Sequence, residues 1–288
     1  MIEVSIIVPT YNSVEHINNL NDSINNQTFK NFEVIIVDNY SSDKTLDKLK
    51  QTNQLNKNYK FYQIKNEGSI AKSRNFGINK SIGNYVAFHD SDDFWYSKKL
   101  EFCLKEIANN DFVYHDLRIK NKKNFFDRRK LYSYSLSGSN SFEKIMTKAN
   151  PISTSSVICK RSIFDKLKFS EDKKLITVED YDCYINIAKN KFKFKYIKKV
   201  LGIYNIGLHN TSRLPLKNKY RFSYIYNRHK DYLSNDYLKL LSKNNFRYLM
   251  ANSLSSNRLK KKYFTYLLSS KILKSKIIIL IKFFLSLF

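Results

Sequence analysis

At 288 residues the chain has room for one large α/β domain with an extension, or for two domains. Hydrophobic residues at 42% and aromatics at 15% supply a core and exclude a disordered polymer, while a formal charge of +26 raises the question of an acidic partner. That charge is uneven: residues 214–288 hold 16 Lys and Arg against 2 Asp and are read as a basic extension to a domain over 1–213.

From the N-terminus, Val4 to Val8 is a continuous β-branched run closed by Pro9, the pattern of a strand covered on both faces. Val14, Ile17, Leu20 and Ile24 recur at helical spacing. Phe32 to Val37 predicts a second buried strand, and Ser41-Ser42-Asp43 offers N-cap chemistry for a helix through Leu46 and Leu49. A third strand is expected at Phe61–Ile64, followed by a helix carrying Ile70, Ala71, Arg74 and Ile78, then a fourth strand from Tyr85 to Phe88. Helices through Leu100 and Leu104 and over 141–149, a strand over 111–119 and a basic loop over 120–130 follow. The hydroxyl-rich run Ser153-Thr154-Ser155-Ser156 precedes Val157-Ile158-Cys159. Val178-Glu179-Asp180 opens a helix through Ile185, and Phe192–Val200 and Leu201–Ile206 read as two strands. Alternating strands and helices over 4–88 predict a largely parallel sheet with right-handed crossovers, whose ligands bind beyond the carboxyl ends of the strands.

At those ends stand Thr10 and Tyr11, Asp38, and the run Asp90-Ser91-Asp92-Asp93. Three carboxylates within four positions repel one another unless a positive charge sits among them, and a divalent cation held by oxygen ligands is the usual answer. A solvated acidic turn is the competing reading. No GxGxxG and no GxxxxGK[ST] is present, so phosphates would be held by metal and side chains. Cys103, Cys159 and Cys183 are odd in number, far apart and in no metal-ligand spacing, so free thiols in a reducing compartment are expected. Met1-Ile2-Glu3 runs straight into a strand, which carries the expectation of no signal peptide and of cytoplasmic residence.

Five segments occur in order: VSIIVPTYN (4–12), FEVIIVDNYSSDKT (32–45), NEGSIAKSRNFGI (66–78), YVAFHDSDDFW (85–95) and VEDYD (178–182). Together they resemble the family-2 inverting glycosyltransferases with the GT-A fold. The resemblance implies an α/β, Rossmann-like mixed and mostly parallel sheet flanked by helices. It implies that Pro9, Thr10, Tyr11 and Asp38 border the nucleotide's base and ribose, and that Arg74 helps to hold the nucleotide. Ser73 stands where the family's ARNxG stretch has Ala. Asp90-Ser91-Asp92 corresponds to the DxD motif, with Asp90 and Ser91 on the donor and Asp92, joined by Asp90, on Mn²⁺ or Mg²⁺. Asp93 extends the acidic run and allows a shifted register. His209 sits where some relatives place a further metal or diphosphate contact. Glu179 and Asp180 hold the catalytic base, Asp180 being preferred, and late proton transfer would let it serve without a large shift in acidity.

The activity implied is metal-dependent transfer from a nucleotide-sugar, a UDP-sugar in the first instance, to a saccharide acceptor such as a lipid-linked, lipopolysaccharide or capsule glycan. Residues 214–288 lie outside the resemblance. On a helix, Lys271, Lys274 and Lys282 share one side and apolar residues the rest, which suits an interfacial helix on anionic lipid over 269–288. Docking on the domain's own core or on a second subunit, in a homo-oligomer, is the alternative. The membrane reading places the protein on the inner face of the cell membrane. Two competing activities are nucleotidyl transfer and nucleic-acid binding driven by charge. The acidic character of the expected site and the lack of a recognisable module argue against a specific nucleic-acid partner.

Overall fold

The computed structural model describes residues 2–53, 56–121, 130–131, 133–148, 150–206, 221 and 224–238. Two compact units divide the chain, residues 1–145 with 149–213 and residues 146–148 with 214–288. In the second, the described residues include helical segments at 224–229 and 235–238 and a 3₁₀ turn at Lys230–Tyr232. The expected membrane helix over 269–288 lies outside the described residues, as does His209.

The first unit begins with the expected alternation: β1 (Val4–Thr10), α1 (Ile17–Asn25), β2 (Phe32–Asp38), α2 (Thr45–Asn53), β3 (Tyr59–Gln63), α3 (Ile70–Lys80) and β4 (Tyr85–Phe88). Then come β5 (Phe94–Trp95), α4 (Lys99–Ile107), β6 (Phe112–Asn121), β7 (Lys130–Leu131), α5 (Ser141–Lys148), β8 (Ile158–Lys160), α6 (Glu179–Lys189) and β9 (Phe194–Ile206). One sheet joins the strands in the order β3-β2-β1-β4-β8-β6-β9-β5, with β7 against β6. The first four strands are mutually parallel, and β6 and β9 are parallel, while β8, β5 and β7 pair antiparallel. The sheet is therefore mixed.

Every residue of β1 and β2 is buried, as expected of largely apolar strands with helices on both faces, and the buried Ser5 hydroxyl donates to Glu33 Oε1 of β2 at 2.6 Å. Successive side chains alternate between faces. Val4, Ile6 and Val8 meet Ile17, Leu20 and Ile24 of α1, Leu49 of α2 and Leu100 and Cys103 of α4 in one cluster. Ile7 points the other way, against α3: a methyl at Gly77 would lie 2.5 Å from its Cγ2, so only glycine lets that helix approach. Parallel pairing of β1 with β2 aligns Thr10 with Asp38 on the last rung of the ladder.

Three differences from the sequence reading concern the edge beside the acidic run. Phe194–Ile206 forms one strand where two were expected over 192–206, because register shifts opposite His115–Arg118 absorb the exposed Lys198-Lys199 pair. Phe94 and Trp95, to which the sequence assigns no element, form β5 against Ile203 and Gly202 of β9. The third strand starts at Tyr59, two residues before its expected start. All three cysteines are free and buried, as expected.

A Cβ at Gly202 would sit 2.6 Å from the Phe94 carbonyl oxygen, a backbone atom with little room to retreat. We expect Gly202→Ala to push β5 off β9 and to cost about 1–3 kcal/mol of stability, read as a lower urea midpoint with unchanged slope.

Candidate active site

Strand order reverses on the two sides of β1, whose neighbours are β2 and β4, and the loops leaving these strands meet at one edge. Asp38 anchors that edge. It is fully buried, and its oxygens accept Thr10 Oγ1 at 2.9 Å, Ser41 Oγ at 2.6 Å, Ser41 N at 2.9 Å and Gln63 Nε2 at 3.3 Å. The loops are then stitched to each other. Asn12 N donates to Ser41 Oγ, Ser42 N to Asn12 Oδ1 and Val14 N to Asp43 Oδ2, while Ser13 Oγ meets Ser91 Oγ at 2.9 Å. Asn12, Tyr40 and Lys44 take positive φ values of 46°, 50° and 63° to make these turns. Tyr11 and Tyr40 are left as exposed aromatic rings, 60% and 54% accessible.

In the acidic run, Asp90 and Asp92 are partly exposed and Asp93 is buried. Asp93 turns inward to accept the Asn205 N–H of β9 at 3.0 Å, and Asn205 Nδ2 donates to the Asp92 carbonyl. Desolvation, then the charges of Asp92 and Asp90, pushes the Asp93 carboxyl well above the usual carboxylate range. Behind the run, His89 is buried with its Nδ1–H donated to the Asp90 carbonyl at 2.9 Å and its ring stacked on Trp95. Burial brings the His89 imidazole down to about 4, so it stays neutral at physiological pH.

Arg74 of α3 joins this run to the acidic pair at the start of α6. Its Nη2 donates to Asp90 Oδ1 at 2.9 Å and its Nη1 to Glu179 Oε1 at 3.1 Å, with the guanidinium 5.5 Å from the Phe169 ring centroid. Both Arg74 and Glu179 are buried. Burial opposes the guanidinium's charge, but Asp90 and Glu179 more than offset it and the group remains a cation. Asp180, half-buried, accepts the Tyr181 N–H at 2.7 Å on Oδ1 and the Thr154 hydroxyl at 3.3 Å on Oδ2. Its carboxyl is pushed up to about 7 by desolvation and then by the adjacent Glu179, against the pull of Arg74. The sequence reading requires no large shift; the desolvation that produces one, with Glu179 second to it, comes from tertiary packing.

The structure thus gathers Arg74, Asp90, Glu179 and Asp180 into one cluster, beside a stitched edge carrying Thr10, Tyr11, Asp38 and Ser91. Pro9 lies buried within β1. Asp93 is a tie to β9 rather than a member of the partly exposed pair. Asn205, Thr154 and Ser155 were not marked as site residues by sequence: Ser155 Oγ accepts the Asp90 N–H at 3.1 Å. Only the hydroxyl-rich run itself hinted at the last two.

For a cation, Asp90 and Asp92 are hard oxygen donors at the mouth, in a run whose negative charges already penalise one another. Such a pair suits Mg²⁺ or Mn²⁺, which commonly takes one or two carboxylates and completes its shell with phosphate and water. Among the described residues no three His, Cys, Asp or Glu side chains form a complete metal site.

The family model described as "Glycosyl transferase family 2" matches residues 5–171. An uncharacterised glycosyltransferase of Rickettsia felis is 33% identical over 189 residues, 65% of this chain and 30% of the relative, so the chain spans under a third of that relative's length. An uncharacterised glycosyltransferase of Methanocaldococcus jannaschii is 32% identical over 232 residues, 77% of each chain. The amylovoran biosynthesis glycosyltransferase AmsB of Erwinia amylovora is 30% identical over 214 residues, 71% of this chain and 70% of the relative. Among solved structures, the mannosyltransferase PcManGT of Pyrobaculum calidifontis, in complex with GDP-Man and Mn²⁺, shares the fold at a TM-score of 0.68 with 17% identity. S. aureus TarS 1–349 in complex with UDP-GlcNAc does so at 0.64 with 22% identity. Each covers 99% of this chain, which covers 81% of each in turn. Both likenesses are of the GT-A architecture.

Replacing Arg74 with Met would strand Glu179 in the interior and release Asp90. Removing one partner of a buried ion pair costs about 3–5 kcal/mol. The loss in urea unfolding should be largest at pH 8 and shrink in acid, where protons neutralise the stranded carboxylates.

Proposed function

Because the chain belongs to glycosyl transferase family 2, we propose that it transfers a sugar from a UDP-sugar to a hydroxyl of a saccharide acceptor with inversion at the anomeric carbon. The observation that carries this reading is the placement of Asp180, raised to about 7, in one cluster with Asp90 through Arg74 and Glu179. A base with that acidity is half deprotonated at neutral pH and strong enough to accept a hydroxyl proton as the bond to carbon forms.

The acceptor oxygen attacks the anomeric carbon, its proton passes to the Asp180 carboxylate, and the bond to the nucleoside diphosphate breaks on the opposite side. No protein nucleophile is required. Thr10, Asp38 and the exposed Tyr11 shape the edge for the nucleoside. Arg74 holds Asp90 and Glu179 in place rather than facing solvent. Asp92, with Asp90, would hold a divalent cation, which when bound supplies positive charge to the departing diphosphate. UDP as carrier is supported by the UDP-GlcNAc complex of a neighbour with the same fold. A surface-glycan acceptor is supported by the amylovoran-biosynthesis relative.

Purified protein offered UDP-sugars should release UDP. Release of pyrophosphate from UTP and a sugar 1-phosphate would instead mark nucleotidyl transfer. Asp180→Asn should slow transfer by about 10²–10⁴-fold while leaving UDP affinity near that of the wild type. The wild-type kcat/KM should fall as pH drops through about 7, because protonation removes the base. A variant that loses UDP binding but keeps its maximal rate would move Asp180 to the donor site.

Asp92→Asn preserves shape and removes one charge from the mouth. Turnover should fall by orders of magnitude, and UDP affinity, measured by calorimetry, should no longer depend on Mn²⁺ or Mg²⁺. Full wild-type activity in excess EDTA would rule out the cation.

A further inference from the structure

The hydroxyl-rich run finds its place in a 3₁₀ turn, Thr154–Ser156, between the acidic run and α6. Its two sides face different halves of the site. Ser155 Oγ accepts the Asp90 N–H at 3.1 Å, and the Ser155 carbonyl accepts the Trp95 indole N–H at 2.8 Å, so the turn is pinned from the acidic side. Thr154 faces the base. A threonine hydroxyl carries one proton and two acceptor lone pairs. The Tyr184 hydroxyl donates to Thr154 Oγ1 at 3.1 Å, and the single Thr154 proton goes to Asp180 Oδ2 at 3.3 Å. Tyr184 and Thr154 are both buried, so water does not compete for either hydroxyl. The Tyr184 phenol is held well above its usual range by burial and then by Asp180, which keeps it a donor.

Other ionisable groups act on the same carboxyl. Glu179, Cys183 and Tyr184 lie near it on α6, Arg74 on α3 and Asp90 beyond β4. Only Arg74 among these favours the ionised form electrostatically. The remaining support comes from hydrogen-bond donors, the Tyr181 N–H on one oxygen and the Thr154 hydroxyl on the other.

We propose that Thr154 is a positioning residue for sugar transfer: backed by Tyr184, its hydroxyl holds Asp180 Oδ2 and keeps the carboxylate in one orientation toward the acceptor hydroxyl. This rests on Asp180 being the base, as proposed above. At 3.3 Å the bond is longer than a typical hydroxyl–oxygen contact and its effect is correspondingly modest.

The test is a direct titration of Asp180 in the full-length protein carrying ¹³C-labelled aspartate, its signal assigned as the one lost in Asp180→Asn. The wild-type midpoint is expected near 7. Thr154→Val removes the donor and should raise it by about 0.5–1, Tyr184→Phe should raise it by less, and Thr154→Ser should leave it within about 0.2 of wild type. The acid limb of UDP-GlcNAc hydrolysis should move in step, with KM for UDP-GlcNAc unchanged. A midpoint that stays put in both Thr154→Val and Tyr184→Phe overturns the proposal. Should Thr154→Val fail to fold, Tyr184→Phe decides alone. If Asp180→Asn keeps hydrolysis together with its acid limb, the base assignment falls and the positioning role with it. If Asp180→Asn abolishes hydrolysis while neither Thr154→Val nor Tyr184→Phe moves the midpoint, only the role of Thr154 falls.

Discussion

A single buried guanidinium organises the site. Arg74 is removed from water, and a charge in the interior is tolerable only where opposite charges and hydrogen bonds replace its hydration. Asp90 and Glu179 meet that demand from positions 16 and 105 residues away in sequence. The end of β4, the middle of α3 and the first turn of α6 must therefore come together for the fold to close. The bidentate geometry of arginine matters here, since one planar group reaches both carboxylates at once. The same contact that stabilises the fold sets the charge around Asp180.

Around that cation, the edge is held by short hydroxyl and amide side chains rather than by glycine. The chain has only 6 glycines, and its tight turns place Asn12, Tyr40, Lys44, Glu67 and Thr177 at positive φ. Such conformations are costly for residues with a Cβ and persist where neighbouring contacts over-determine them. Tyr40 illustrates this. Asn39 on one side donates its N–H to the Thr10 carbonyl and accepts from Asn66 N, and Ser41 on the other is bound to Asp38 and Asn12. The backbone between them has little freedom, and the ring projects into solvent as a result.

Two carboxylates in the site are held in environments that oppose their ionisation. Asp93 has lost its water and sits beside Asp92 and Asp90; Asp180 sits beside Glu179. A carboxyl whose folded value lies above its unfolded one detracts from stability once pH exceeds the unfolded value, and the penalty grows until the folded value is passed. For Asp180 that window runs from the ordinary carboxylate range to about 7. The site thus stores unfavourable electrostatics that the buried β1–β2 core offsets.

Much of the architecture was legible in the sequence. The runs 4–8 and 32–37 are rich in β-branched residues and interrupted only by Ser5 and Glu33, so their burial between helices followed from composition. The acidic run and the Glu179-Asp180 pair were likewise visible as chemistry at strand and helix ends, and Arg74 as a charge within a helix. Strand Phe194–Ile206 was not, because Lys198-Lys199 breaks the apolar pattern and only pairing with β6 through a bulge restores it. Nor was β5, two residues long, which exists because Gly202 admits the Phe94 backbone. Hydrophobic periodicity and local chemistry are properties of neighbouring positions, so the chain's own order of residues already names the polar and charged groups at the strand and helix ends. The environment of each group is another matter, fixed by long-range packing. Whether a carboxylate is buried against a cation, beside another carboxylate or under a threonine hydroxyl depends on residues far away in the chain, and that burial sets its charge.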